Sequence, residues 1–79
     1  HLVIVHKLST GYVRDVRSRD KESTYGVMCG IDPYDAAVDT AVFMQGCLLD
    51  NPDGCYLIAP PEVLQHIPED LRKPRGAKA

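Results

Sequence analysis

Apolar and polar positions along the chain fall into successive blocks, and each block predicts one element. Residues 2–8, "LVIVHKL", are apolar and β-branched over a length that suits a strand and is too short for a helix. "STG" breaks the run. Residues 11–19, "GYVRDVRSR", alternate imperfectly, with Tyr12 and Val16 on one side and Val13 among charges on the other. "DKES" reads as a polar turn, and "TYGVMC" (24–29) as a returning strand with Tyr25, Val27 and Cys29 on one face. Strands joined by such short connections pair as an antiparallel meander. The unbroken apolarity of the first strand places it centrally or under cover on both faces.

The strongest periodicity lies in "GIDPYDAAVDTAVFMQGCLLDNPDG" (30–54). Asp32 is a good N-cap, and Pro33 sits at the first helical position, where its missing N–H costs nothing. Asp35 adds negative charge where the helix dipole favours it. Tyr34, Ala37, Val38, Ala41, Met44 and Leu48 follow helical spacing and are expected to face a sheet. The helix should stop near Asp50, because Asn51 precedes Pro52 and is pushed out of helical angles. Gly46 inside it costs about 1 kcal/mol relative to Ala, which a tight packing point would explain.

"CYLIA" (55–59) predicts a fourth strand, which Pro60 ends. Pro61 can open a short helix carrying Val63, Leu64 and Ile67 at helical spacing, and Pro68 both halts it and starts a last turn with Leu71 inward. From Lys73 onward the basic tail is expected to be disordered. The order β-β-β-α-β with a short C-terminal helix predicts an α+β fold over residues 1–72. Its three- to four-stranded, mainly antiparallel sheet is packed by one long helix.

Composition narrows the picture. Seventy-nine residues allow one domain, and 44% apolar with 25% charged residues is a globular balance. With four Tyr, one Phe and no Trp the core is largely aliphatic, which leaves little room for a deep pocket. The net charge of −2 conceals segregation: Arg14, Arg17, Arg19 and Lys21 crowd residues 14–21, whereas residues 32–53 hold five Asp and no Lys or Arg. Such a division offers separate faces to partners, although a solvated acidic helix and a basic hairpin tip are its commoner origin. Three cysteines cannot all pair within one chain, and neither a signal-peptide pattern nor an 18-residue apolar run occurs. These features favour a reducing, cytoplasmic setting with no membrane partner.

Catalytic patterns are missing from the sequence. Cys29, Cys47 and Cys55 stand 18 and 8 residues apart, with no C-x-x-C pair, so even with His6 and His66 the spacing implies no metal and no cofactor. No local motif joins a Cys, His66 and an Asp as a triad, and Asp35 and Asp39 share a helix face without an apolar pocket to raise a pKa. G-x-G-x-x-G, P-loop and G-x-S-x-G patterns do not occur. A non-enzymatic role is therefore expected. Tyr12, Arg14, Arg17 and Arg19 form a ribbon suited to phosphate contacts, but Asp15, Asp20 and Glu22 lie among them. Docking on an acidic protein surface, or on nucleic acid held by another protein, uses the same residues more comfortably. A small nucleic-acid-binding or antitoxin-like regulator is the alternative reading.

Several motifs carry a resemblance. Gly30-x-Asp32-Pro33 opens an Ala-rich helix with Ala36, Ala37, Ala41 and Met44. Pro52 precedes a Tyr-led strand with Tyr56 and Ile58, and "VLQHIPEDLR" (63–72) closes the segment. Residues 30–72 so resemble one family of very small phage-encoded anti-CRISPR proteins, which inhibit type I-F CRISPR surveillance complexes. The helix-to-strand interval is longer here and the strand–helix joint shorter, and the N-terminal half shows no motif match. The resemblance implies a non-enzymatic inhibitor that docks on protein subunits of a bacterial type I CRISPR surveillance complex, or on nucleic acid held by it, and blocks DNA interference in the host cytoplasm. Charge and expected exposure, not the family, nominate the contacts: Tyr12, Arg14, Arg17 and Arg19 on the ribbon, with Asp35 and Asp39 as an acidic patch. An uncovered sheet face or edge in so small a domain would also pair with a second copy, giving a homodimer.

Overall fold

Two strands of the expected meander form a hairpin: β1 (Leu2–Leu8) pairs antiparallel with β2 (Gly11–Arg17), from Leu2 opposite Arg17 to Leu8 opposite Gly11. The structure is a computed structural model that describes residues 1–18 and 26–72. The expected turn at 20–23, Arg19, the start of the third strand with Tyr25, and the tail from residue 73 lie outside the described residues. β3 (Val27–Gly30) adds to β2 antiparallel, with a register shift between Tyr12 and Val13. β4 (Tyr56–Ile58) adds to β1 parallel, so the sheet order is β3-β2-β1-β4. The apolar first strand is therefore an inner strand, as its composition required.

Gly11 sits at φ +150, and a Cβ there would come within 2.7 Å of the Gly30 carbonyl oxygen. Only glycine suits that backbone angle and that approach to β3. Gly30 is equally constrained, because a Cβ on it would lie 2.7 Å from Ala36 Cα. The first turn of the helix thus rests directly on the end of β3.

That helix, α1 (Pro33–Asp50), begins as its sequence predicts. Asp32 Oδ1 accepts the Asp35 N–H at 2.9 Å, and at the other end the Asn51 N–H donates to the Cys47 carbonyl at 2.9 Å. It buries Ala36, Ala37, Thr40, Met44 and Leu48 against Val3, Val5, Tyr12 and Cys29 of the sheet. Its inward face corrects the expected one. Ala36 and Thr40 are buried, while Tyr34 is 60% and Val38 48% exposed. Close contact at Gly30 selects the small Ala36 for the inward position and rotates the larger side chains outward. Gly46 meets no atom within 4 Å of a Cβ position, so it marks no tight packing point.

Val27, expected to share the inner face with Cys29, is also half exposed, whereas Cys29 is buried. β3 is an edge strand, and α1 passes from Gly30 toward Cys55 near β4, away from Val27. The short helices α2 (Pro61–Leu64) and α3 (Glu69–Arg72) close one flank of α1 with Val63, Ile67 and Leu71, all buried. Pro60, Pro61 and Pro68 stand at element boundaries, and the Pro60 carbonyl receives the Val63 and Leu64 N–H groups that open α2. Among the described residues no helix packs on the opposite sheet face. That face carries half-buried Leu2, Ile4 and Val13 with exposed Met28, Tyr56 and Ile58.

Candidate protein-docking surface

Strand alternation decides the fate of the nominated ribbon. Residues 12, 14 and 16 of β2 point toward the helix, and residues 13, 15 and 17 point away. Tyr12 is therefore core, at 2% exposure, and is no part of an exposed contact surface. Its hydroxyl donates to Glu62 Oε2 at 3.1 Å, and the Lys7 ammonium lies 5.1 Å from its ring centroid. Burial, and then the Glu62 carboxylate, push the phenol above its ordinary value.

Arg14 also turns inward, with its side chain only 12% exposed. Its guanidinium donates to Asp39 Oδ2 and stacks over the Phe43 ring at 4.5 Å. Arg14 and Asp39, nominated for two separate patches, are thus one contact tying β2 to α1. Arg17 is exposed on the other sheet face, Asp35 is exposed in the first helical turn, and Arg19 lies outside the described residues. The period of two from Tyr12 through Arg14 to Val16 already contained this result; the charge of Arg14 obscured it.

A different surface stands open. Along α1, Tyr34, Val38, Val42 and Leu49 are 60%, 48%, 64% and 85% exposed. At about 100° of rotation per residue these four fall within an arc of about 80°. Asp35, Asp39 and Asp50 line one side of this stripe. On the other side a groove of about 280 Å³ runs between α1 and α3, lined by Gln45, Leu48, Leu49, Asp70 and Leu71. At the N-terminal end of the stripe the Tyr34 ring meets His66 edge-on, with centroids 5.5 Å apart. Sequence reasoning missed this surface by assigning Tyr34 and Val38 to the core. The signal was the remainder: Val42 and Leu49 fit no inward position and needed another explanation.

Cys47 and Cys55 adjoin where α1 ends and β4 begins, whereas Cys29 lies in β3. Cys55 Sγ donates to the Cys47 carbonyl at 3.2 Å, joining the end of α1 to the start of β4. Burial, and then the neighbouring Cys55 thiol, push Cys47 up to about 12, and burial likewise raises Cys29. Such groups stay protonated near neutral pH and pack as small apolar side chains. His6 Nε2 lies 3.1 Å from Asp15 Oδ2 on the sheet face away from the helix. Among the described residues no three His, Cys, Asp or Glu side chains are grouped to hold a metal, and no helix is long and apolar enough to cross a membrane. No protein-family model matches the chain, and no curated protein matches it.

Proposed function

We propose that this chain is a non-enzymatic docking protein, an inhibitor that binds a protein surface of a bacterial type I-F CRISPR surveillance complex and blocks DNA interference in the host cytoplasm. One observation carries the reading. The segment bearing the anti-CRISPR resemblance, residues 30–72, spans α1, β4, α2 and α3, and its outer surface leaves Tyr34, Val38, Val42 and Leu49 bare. Scattered single apolar side chains are ordinary on a protein surface; four on one side of one helix are characteristic of a contact patch. The nucleic-acid-binding alternative loses support, because Tyr12 and Arg14 of the ribbon are engaged within the fold.

Size-exclusion chromatography of the pure chain with a purified type I-F surveillance complex tests the target. Co-elution, with or without bound DNA, is the expected outcome. Elution of the chain alone in both cases removes the inhibitor reading.

A further inference from the structure

The proposed docking function leaves open which surface makes the contact and what chemistry it meets. We propose that the outer stripe of α1 is that surface, and that it takes a protein segment presenting an apolar ridge flanked by Lys or Arg. This rests on the reading of the chain as a docking module, and it does not depend on the identity of the target.

The stripe has the geometry of helix-in-groove recognition. Tyr34, Val38 and Val42 lie four residues apart, and Leu49 continues their line beside the groove formed with α3. Covering these side chains removes apolar area from water, which is the driving force. Charge then selects the occupant. Asp35, Asp39 and Asp50 border the stripe, Asp70 lines the groove opposite, and residues 32–53 contain no Lys or Arg. Asp39 already holds Arg14, while Asp35 and Asp50 project from exposed positions. A partner that dehydrated this rim without supplying cations would leave carboxylates unpaired.

The same charge argues against other occupants. Two copies packed antiparallel, helix to helix, would set one row of Asp against an identical row, and packed parallel would set it against the groove side that carries Asp70. Phosphate-rich nucleic acid and anionic lipid would meet repulsion. A basic amphipathic segment matches both the ridge and the rim.

The test uses the ¹⁵N-labelled chain and two synthetic 18-residue amphipathic helices that share a Leu ridge, one flanked by Lys and the other by Glu. The Lys-flanked peptide should shift amide resonances within 34–50 and around Asp70 and Leu71. Its affinity should fall about tenfold or more between low salt and 0.5 M salt, since rim charges are screened. The Glu-flanked peptide should bind far more weakly. A Val42→Gln/Leu49→Gln variant, in which both new residues are good helix formers, should lose about tenfold or more of the binding with an unchanged circular dichroism spectrum. Tyr56→Ser/Ile58→Thr, on the sheet face away from the helix, should bind like the parent.

Shifts confined to that sheet face, equal binding of both peptides, or no binding of the Lys-flanked peptide would each overturn the inference. So would self-association of the chain that the Val42→Gln/Leu49→Gln variant abolishes, because the stripe would then belong to a second copy. With the surveillance complex itself, loss of co-elution in that variant supports the stripe as the contact, and unchanged co-elution overturns it. If the parent chain fails to co-elute, the proposed target falls, and the peptide titration still decides the surface.

Discussion

β2 and the outer side of α1 invert each other. β2 is rich in charge, yet it turns Tyr12 and Arg14 inward, where one donates to Glu62 and the other to Asp39. α1 is rich in apolar residues, yet Tyr34, Val38, Val42 and Leu49 face water. The difference comes from geometry more than composition. A strand beneath a helix places every second residue inside whatever its polarity, and a long side chain such as Arg can bury its stem while its head finds a carboxylate. A helix resting on a sheet has a narrower inward arc, and its width here is set by small residues. Strand parity thus puts a charged residue inside, and the seating of Ala36 over Gly30 leaves apolar residues outside.

The sharpest way to break this comparison is to remove Tyr12. If it is core, Tyr12→Ala leaves a cavity in the buried cluster and deprives Glu62 of its donor, costing about 3–5 kcal/mol. For so small a domain that is most of the stability. Urea denaturation followed by circular dichroism measures it. An unchanged midpoint would return Tyr12 to the surface and restore the ribbon as a contact.

Gly30→Ala addresses the seat of the helix. The added Cβ would fall 2.3 Å from Ala36 N and 2.7 Å from Ala36 Cα, and backbone atoms cannot rotate away. Lifting α1 off β3 should cost about 1–3 kcal/mol. Near-parental thermal stability would mean that the helix is not pressed on β3, and the reason given for the outward turn of Tyr34 and Val38 would fail.

Asp39→Asn tests whether charge is held inside the hairpin–helix contact. Asp39 is 53% exposed, so solvent screens the pair, and the loss should be only about 1 kcal/mol. A double-mutant cycle with Arg14→Met separates the pair from the stem packing of Arg14 on Phe43. Zero coupling energy would show that Arg14 is held by Phe43 and its neighbours, with Asp39 a bystander.

Much of this fold was legible in single residues with one dominant physical role. Asp32-Pro33 marks a helix start because a side-chain acceptor and a missing N–H both suit that position, and Asn51-Pro52 marks its end for the converse reason. Pro60, Pro61 and Pro68 gave the element boundaries of the last third. Less legible was the rotation of α1 about its axis. As sequence, Ala36 and Thr40 gave no stronger inward signal than Tyr34 and Val38, and the choice depends on how close Gly30 lets the helix approach, a contact between elements. Val27 shows the same limit, since its exposure depends on where α1 crosses an edge strand. The nominated contacts went astray for a related reason: formal charge suggested exposure for Arg14, while strand parity assigned it the opposite face.

Gly46 offers the smallest effect and the cleanest control on the outer helix surface. It lies within α1, is exposed, and has open space where a Cβ would stand. A glycine there leaves the unfolded chain freer than alanine would and adds nothing to the packing of the fold. Gly46→Ala should therefore stabilise the protein by about 0.5–1 kcal/mol, raising the midpoint of thermal unfolding by a few degrees. The sign is informative, because an added methyl in a packed interior would strain the core. Destabilisation would mean that the back of α1 is covered by something the described residues do not place there. Together with destabilisation by Gly30→Ala, stabilisation by Gly46→Ala would establish a helix crowded at its first turn and bare along its outer side, as a docking stripe beginning at Tyr34 requires.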